Sequence, residues 1–320
     1  MGTPCSKFPK LSQPPPKAPK DMAICLVLFN PAKSKRILMN YFYTKSQFDL
    51  QGLPNFTLEL VYEGRTPELP DAFHVHAKSM MFHKENLYRI LVSKIPPSYT
   101  KLAFLDADIF YKDGTWYHKT SKLLDSYDIV QGFDEAHWLD LTYTKTIMTR
   151  KSVFAMASPT WQFQYHPGFA WCMRRDWYNK VGFFDYAISG SGDTLSSATW
   201  LNKAFPAKFQ SLPQALHKVY AQYQESCKAH PPKVFFLHGI DVYHLYHGAR
   251  SNRKYAERHA MLNVPTPIEE LLTKNGEGVW EWNSLTTWNP MLFSYFMNRQ
   301  DDDLSEEPVA AAPTKPKSSS

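Results

Sequence analysis

Two aspartates separated by one small residue, Asp106-Ala107-Asp108, close the apolar run Lys101-Leu-Ala-Phe-Leu. Side chains at i and i+2 leave an extended chain on the same face, so the two carboxylates can converge once the chain begins to turn. Carboxylate oxygens suit hard divalent ions such as Mn²⁺ or Mg²⁺, and a diphosphate can complete the coordination shell. The competing reading is a turn in which the acids accept hydrogen bonds from nearby backbone N–H groups. The aliphatic run favours the metal, because a buried strand delivers its last residues to the carboxyl edge of an open α/β sheet, where such sheets bind ligands.

A second candidate is Asp193, which follows Gly190-Ser-Gly192 and precedes a helix-like segment. It could be an N-cap. A carboxylate on a glycine-permitted turn could also sit at the mouth of a cleft and take a proton from an acceptor hydroxyl. Further on, Asp241-Val-Tyr-His244-Leu-Tyr-His247-Gly248 is expected to be extended. Residues three apart on a strand face opposite ways, so only one histidine is expected at a metal unless the strand breaks. His247 is preferred because Gly248 marks the strand end, whereas a packed role suits His244 among its aromatic neighbours. Arg250, Lys254 and Arg258 would share a face of a helix and could clamp a diphosphate, Arg250 first because it lies nearest His247; a solvated face is the alternative. Several of the nine tryptophans could stack on sugar rings, although most are expected to supply buried area.

The elements that must position these groups follow from periodicity. Met22–Phe29 is a continuous apolar run ending at Asn30-Pro31, which predicts a buried first strand and a turn, with a helix beginning near Ser34. A strand over 56–62, a helix over 79–93 stopped by Pro96-Pro97, the Asp106 strand and a strand near 128–132 follow in order. This alternation predicts an α/β fold, a mostly parallel sheet with helices on both faces, and the length favours a single large domain. Residues 1–20, rich in Pro and Lys, and residues 300–320 lack the apolar content for a core and are expected to be disordered tails; the domain spans 21–299.

Composition narrows the function. In 320 residues with 43% hydrophobic content there is ample material for one core, and a formal charge of +6 with basic residues dispersed among acids speaks against nucleic acid as a partner. Four widely spaced cysteines argue against a zinc module or a disulfide scaffold. There is no apolar stretch of roughly 18 residues and no secretory pattern at the start, so a cytoplasmic, reducing location is expected. Membrane contact is not expected unless Gly2 and Cys5 are acylated: the first residues match a short myristoylation pattern, but a disordered leader is the preferred reading. A nucleotidyltransferase could also use metal and basic residues, but there is no Gly-x-x-x-x-Gly-Lys loop.

Taken in order, Lys84-Glu-Asn86-Leu, Phe104-Leu-Asp106-Ala-Asp108, His166-Pro-Gly168-Phe-Ala-Trp171, Gly182-Phe-Phe-Asp185, Gly190-Ser-Gly-Asp193 and His244-x-x-His247-Gly248 resemble the landmarks of a GT-A glycosyltransferase. The resemblance is to the β-1,4-galactosyltransferase and polypeptide N-acetylgalactosaminyltransferase type and covers about residues 22–260. It implies a Rossmann-like GT-A domain built on a mixed, mostly parallel sheet flanked by helices, with a nucleotide-binding half over about 21–125 and an acceptor half over about 126–299. It also implies transfer from a nucleotide sugar, UDP-linked by preference, to a hydroxyl of a glycan or glycoprotein. Asp106, Asp108 and His247 become metal candidates for Mn²⁺ or Mg²⁺, and Asp193 becomes the candidate base of an inverting reaction. The turn from Asn30 to Arg36 falls where the nucleotide docks, and Lys84 and Asn86 support the donor pocket. The chain departs from the galactosyltransferase pattern in having Gly192, not an acid, directly before Asp193, and in lacking a Trp-Gly pair there. Alternatives are a retaining transferase on the same fold or a non-catalytic glycan-binding protein.

Overall fold

The apolar run at 22–29 forms the strand around which the rest is arranged, and it has the burial expected of a strand covered on both faces. A computed structural model describes residues 20–158, 161–162, 164–203, 212–283 and 288–304; the N-terminal leader with Gly2 and Cys5, and positions 305–320, lie outside the described residues. In chain order the strands are β1 (Met22–Phe29), β2 (Asn55–Tyr62), β3 (Phe73–Ala77), β4 (Lys101–Leu105), β5 (Ile109–Tyr111), β6 (Ile129–Gln131), β7 (Glu135–Leu139), β8 (Thr146–Ser152), β9 (Tyr165–His166), β10 (Ala170–Arg174), β11 (Val234–Phe236), β12 (Val242–His244), β13 (Leu272–Lys274) and β14 (Trp280–Trp282). The helices are α1 (Lys35–Leu50), α2 (Lys84–Lys94), α3 (Trp116–Leu123), α4 (Arg175–Lys180), α5 (Gly192–Trp200), α6 (His217–Ala229), α7 (Tyr255–Ala260), α8 (Ile268–Leu271) and α9 (Trp288–Met297).

The main sheet has seven strands in the order β11-β6-β10-β4-β1-β2-β3. Its pairings are parallel except at β10, which runs antiparallel to both β4 and β6. One face is covered by α2, whose Leu87, Tyr88 and Leu91 pack with Phe104, Trp171 and Phe183. The other is covered by α1 and α3 through Tyr41, Phe48, Trp116 and Tyr117. The fold is therefore a mixed, mostly parallel sheet flanked by helices: the alternation of elements predicts the parallel pairings and the covered faces, and the antiparallel β10 makes the sheet mixed, as the resemblance implies. Helix α1 starts where expected, with the Ser34 side chain accepting from Ile37 N at 3.1 Å. Strand β3 was not anticipated, and the helix expected from residue 79 begins at Lys84.

A second sheet, β5-β12-β7-β8-β9, lies beyond the carboxyl end of β4. The chain leaves the main sheet at Leu105 and enters the second at Ile109, so Asp106-Ala-Asp108 is the crossing between them. The chain crosses between the sheets again after 236: β11 pairs with β6 in the main sheet, and β12, within the segment expected to be extended, pairs antiparallel with β5 in the second. No helix among the described residues is long and apolar enough to cross a membrane. Cys25, Cys172 and Cys227 are buried free thiols.

Candidate active site

The pairing of β12 with β5 sets His244 opposite Ile109 and leaves Leu245 N donating to Asp108 O at 2.8 Å. Strand β12 ends at His244, and Leu245, Tyr246 and His247 follow outside any strand, before the bend at Gly248. Both imidazoles therefore face the same carboxylate. His247 Nε2 is 2.9 Å and His244 Nε2 3.5 Å from Asp108 Oδ2, and the two Nε2 atoms are 3.1 Å apart. The expectation that only one histidine reaches the site is corrected: the condition it allowed for, a strand break, is met. The packing reading of His244 holds as well, since its ring stacks on Phe169 at 4.8 Å and 14°.

Asp106 behaves differently. Its carboxylate accepts from Lys84 Nζ at 3.1 Å, and the same ammonium donates to Asp193 Oδ2 at 2.6 Å. Asp106 is thus not part of the cluster of three that could share an ion, which is Asp108, His244 and His247. Burial, reinforced by the charges of Asp193 and Asp108 and opposed by Lys84, pushes the Asp106 carboxyl up to about 7. For Asp108 burial acts in the same direction, but the two histidines outweigh it and hold the group well below the usual carboxylate range.

The donor set fits a divalent ion. Three ligand atoms with edges of 2.9, 3.1 and 3.5 Å form a triangle of the size that ligands about 2.1 Å from one ion make, whose neighbours are roughly 3.0–3.5 Å apart in octahedral or tetrahedral arrangement. Asp108 Oδ1 is buried without a hydrogen-bond partner and is available as a further ligand atom. Two imidazoles extend the range beyond Mg²⁺, which takes oxygen, to Mn²⁺ and the transition ions that follow it. A second such group, Glu135, His137 and Asp241, lies at the other end of β7 and β12, where His137 is already held by Thr149 and Asp241.

Asp193 sits in the first turn of α5, but the N-cap position belongs to Ser191, in a left-handed conformation at φ 68°, and the Asp193 carboxylate is directed across the cleft. Trp171 Nε1 donates to Oδ1 at 3.0 Å while Lys84 holds Oδ2. Beneath it lies Glu85, whose buried carboxyl occupies the room left by the absent side chain of Gly192: a Cβ there would be 2.9 Å from Glu85 Oε2, with Oε1 and Cδ nearer still. Glu85, from α2, thus stands where a side chain at position 192 would lie. Burial, with help from Asp193 and against Lys84, pushes Glu85 well above the carboxylate range.

These groups line a cleft of about 440 Å³ between the carboxyl edge of β4 and the second sheet, a size suited to a small-molecule ligand. A cavity of about 670 Å³ between α2 and α4 touches it at Glu85 but contains none of the histidines or paired acids.

The expected basic clamp is rearranged. Residues 250–253 form a short 3₁₀ turn and Lys254 is left-handed at φ 40°, so Arg250, Lys254 and Arg258 do not share a helix face. Arg250 is on the exposed rim, 2.8 Å from Met148 Sδ. Arg253 reaches inward, donating to His247 O at 2.9 Å, and Arg258 is buried, donating to Tyr295 OH at 2.9 Å with its guanidinium 4.5 Å over the Phe82 ring.

Three residues expected near the donor have other partners. Asn30 closes the turn before α1, accepting from Ser34 N at 2.9 Å and donating to Glu68. Arg36 donates to Tyr143 OH at 2.9 Å and lies over Tyr246. Asn86 fastens the β13–β14 hairpin through Gly278 O and Trp280 N. Conversely Trp171, Glu85, Arg253 and Asp301 are at or beside the site without having been singled out for it. The only sequence signal for Trp171 was its place after His166-Pro-Gly168, and for Glu85 its place beside Lys84. The expected C-terminal tail does not begin at 300: Asp301 is buried beside His247, and Asp302 accepts from Ser34 Oγ, Lys35 N and Arg36 N at the start of α1.

No protein-family model matches the chain, and no curated protein matches it in sequence. Solved structures with partial similarity include the catalytic domain of Drosophila beta1,4galactosyltransferase 7 in complex with xylobiose, 12% identical, covering 85% of this chain and 98% of that one, with a TM-score of 0.39. A glycosyltransferase involved in the glycosylation of the major capsid of PBCV-1 is 12% identical over 75% and 98% of the two chains, with a TM-score of 0.29. The 4-diphosphocytidyl-2C-methyl-D-erythritolsynthase from Anaerococcus prevotii is 11% identical over 76% and 96%, with a TM-score of 0.32. At these scores the likenesses carry no weight for the site or the reaction.

Proposed function

We propose that this protein is a metal-dependent glycosyltransferase of the GT-A type, moving a sugar from a nucleotide sugar, UDP-linked by preference, to a hydroxyl of a glycan or glycoprotein. The observation that carries this reading is the convergence of Asp108, His244 and His247 at the carboxyl edge of the main sheet, in one cleft with Asp193. Mn²⁺ held by these three side chains would neutralise charge on the departing diphosphate. Arg253 and Lys84 add positive charge to the same cleft, which favours an anionic donor. Trp171 and Lys84 fix the Asp193 carboxylate, so that it meets the acceptor hydroxyl in one orientation and takes its proton as the acceptor oxygen attacks the anomeric carbon. Such an in-line displacement inverts the anomeric configuration.

A second reading has its own support. Both Asp193 oxygens already accept hydrogen bonds, an arrangement that also suits a retaining transferase or a non-catalytic glycan-binding protein in which Asp193 is a binding group. Incubation of the purified protein with UDP-, GDP- and CMP-sugars, with and without Mn²⁺, separates the readings through release of the nucleotide. Slow Mn²⁺-dependent release that is lost in Asp193→Asn supports the inverting transferase. Full turnover by Asp193→Asn removes the base assignment, and binding without release supports the glycan-binding reading.

A further inference from the structure

The carboxylate of Asp301 lies behind His247, on the side of the ring away from Asp108. It is 5% exposed, with Oδ1 2.9 Å from Arg299 Nη2, 3.4 Å from His247 Nδ1 and 3.6 Å from Arg253 Nη1. Two further contacts hold the segment in place. Asp302 caps α1, accepting from Ser34 Oγ at 2.7 Å and Arg36 N at 2.8 Å. The backbone of Gln300 and Asp301 passes so close over Gly248 that a Cβ there would meet Gln300 O at 2.7 Å and Asp301 Cα at 3.1 Å. Residues 299–302 therefore form a strap that ties α1 to the turn carrying His247.

We infer that Asp301 is a positioning residue for His247, holding its imidazole in the tautomer that can ligate a divalent cation; the inference rests on the metal reading of Asp108, His244 and His247. An imidazole that ligates through Nε2 carries its proton on Nδ1, and that proton needs an acceptor. His247 Nδ1 has two neighbours of opposite character. Arg253 Nη2, 2.7 Å from Nδ1 and 3.2 Å from Nε2, can only donate, and pairing at the nearer Nδ1 requires that nitrogen bare and a proton on Nε2, which then points at Asp108. Asp301 Oδ1 can only accept, and pairing with it places the proton on Nδ1 and turns the Nε2 lone pair toward Asp108 and His244. The two states differ by the position of one proton on the ring, exchanged through solvent with no net change in charge.

The test is Mn²⁺ affinity, measured by calorimetry or by the spin resonance of free Mn²⁺ on the full chain without donor, with thermal melting to establish folding. Asp301→Asn, which leaves only a neutral amide oxygen as acceptor, is expected to raise Kd about 10- to 100-fold, the usual effect of mutating such an outer partner. In a His247→Ala background the same substitution is expected to change Kd by about twofold or less, because its effect passes through the missing ring. Asp301→Glu, which keeps charge and acceptor, is expected to lie between wild type and Asp301→Asn, and it serves as the folded comparison if the asparagine variant melts. An unchanged Kd in Asp301→Asn, while His247→Ala weakens binding, overturns the inference and leaves the metal centre standing. An equal loss in both backgrounds overturns positioning through His247. Wild type that binds no Mn²⁺, or His247→Ala that binds as tightly as wild type, overturns the metal reading and this inference with it.

Discussion

Replacing Gly192 with alanine tests whether Glu85 truly fills the space before Asp193. Gly192 is the first residue of α5 and has no left-handed φ, so its backbone accepts any residue and only the space forbids one. By itself, glycine to alanine in a helix would stabilise by about 0.5–1 kcal/mol. The added Cβ would fall inside contact distance of the buried Glu85 carboxyl, and forcing atoms into a packed interior costs about 1–3 kcal/mol. The net expectation is a loss of roughly 1–2 kcal/mol in wild type. In a Glu85→Ala background the obstacle is gone, and Gly192→Ala should become neutral or stabilising by about 0.5 kcal/mol. The four proteins of this cycle, unfolded in urea, should therefore give a coupling of about 2 kcal/mol, within the range for residues in contact. A coupling below about 0.5 kcal/mol, or a Gly192→Ala variant more stable than wild type, would refute the placement of the Glu85 carboxyl against Gly192.

Glu85 also sets a pH dependence: its folded carboxyl is pushed up to about 8 from 4.5 by burial, so the native state binds a proton that the unfolded chain releases, and stability should fall as pH rises from about 4.5 through about 8. Glu85→Gln should flatten that slope, which is at most about 1.4 kcal/mol per pH unit, in melting curves taken across the window. Gly248→Ala meets both a left-handed φ of 81° and the strap backbone, so it should cost at least about 1–2 kcal/mol and expose residues 299–303 to protease. Arg253→Ala should raise the donor KM at least several-fold, whereas Arg250→Ala at the rim should change stability by no more than about 0.5 kcal/mol and leave KM near wild type; the reverse order would restore the clamp expected from helical spacing. Addition of a chelator should lower the melting temperature of Mn²⁺-loaded wild type but not of Asp108→Asn, because only a bound ligand stabilises the native state.

Local signals were enough for the frame. A buried strand must be apolar along its length, so β1 and β4 and the acids closing β4 can be read directly, and alternating strand and helix periods imply a sheet covered on both faces. The helix start at Ser34 and the cleft position of Asp193 belong to the same class, because turns and caps depend on a few neighbouring residues. What the chain order could not convey is how side chains are distributed once two sheets meet at Asp106-Ala-Asp108. The crossing sends Asp106 to Lys84 and Asp108 to the histidines, although both acids stand on one short segment. His244 joins His247 because β12 pairs with β5 and stops there, a hydrogen-bond register formed across more than a hundred residues. Asp301 reaches the site from a segment adjacent to it only in space, and Glu85, although it follows Lys84, meets Gly192 only through the packing of α2 against α5; such long-range packing has no periodic signature in the chain. Tertiary structure alone therefore decided how those carboxylates are partnered and which further acids join them, since that depends on which elements share an edge and not on any residue's neighbours in sequence.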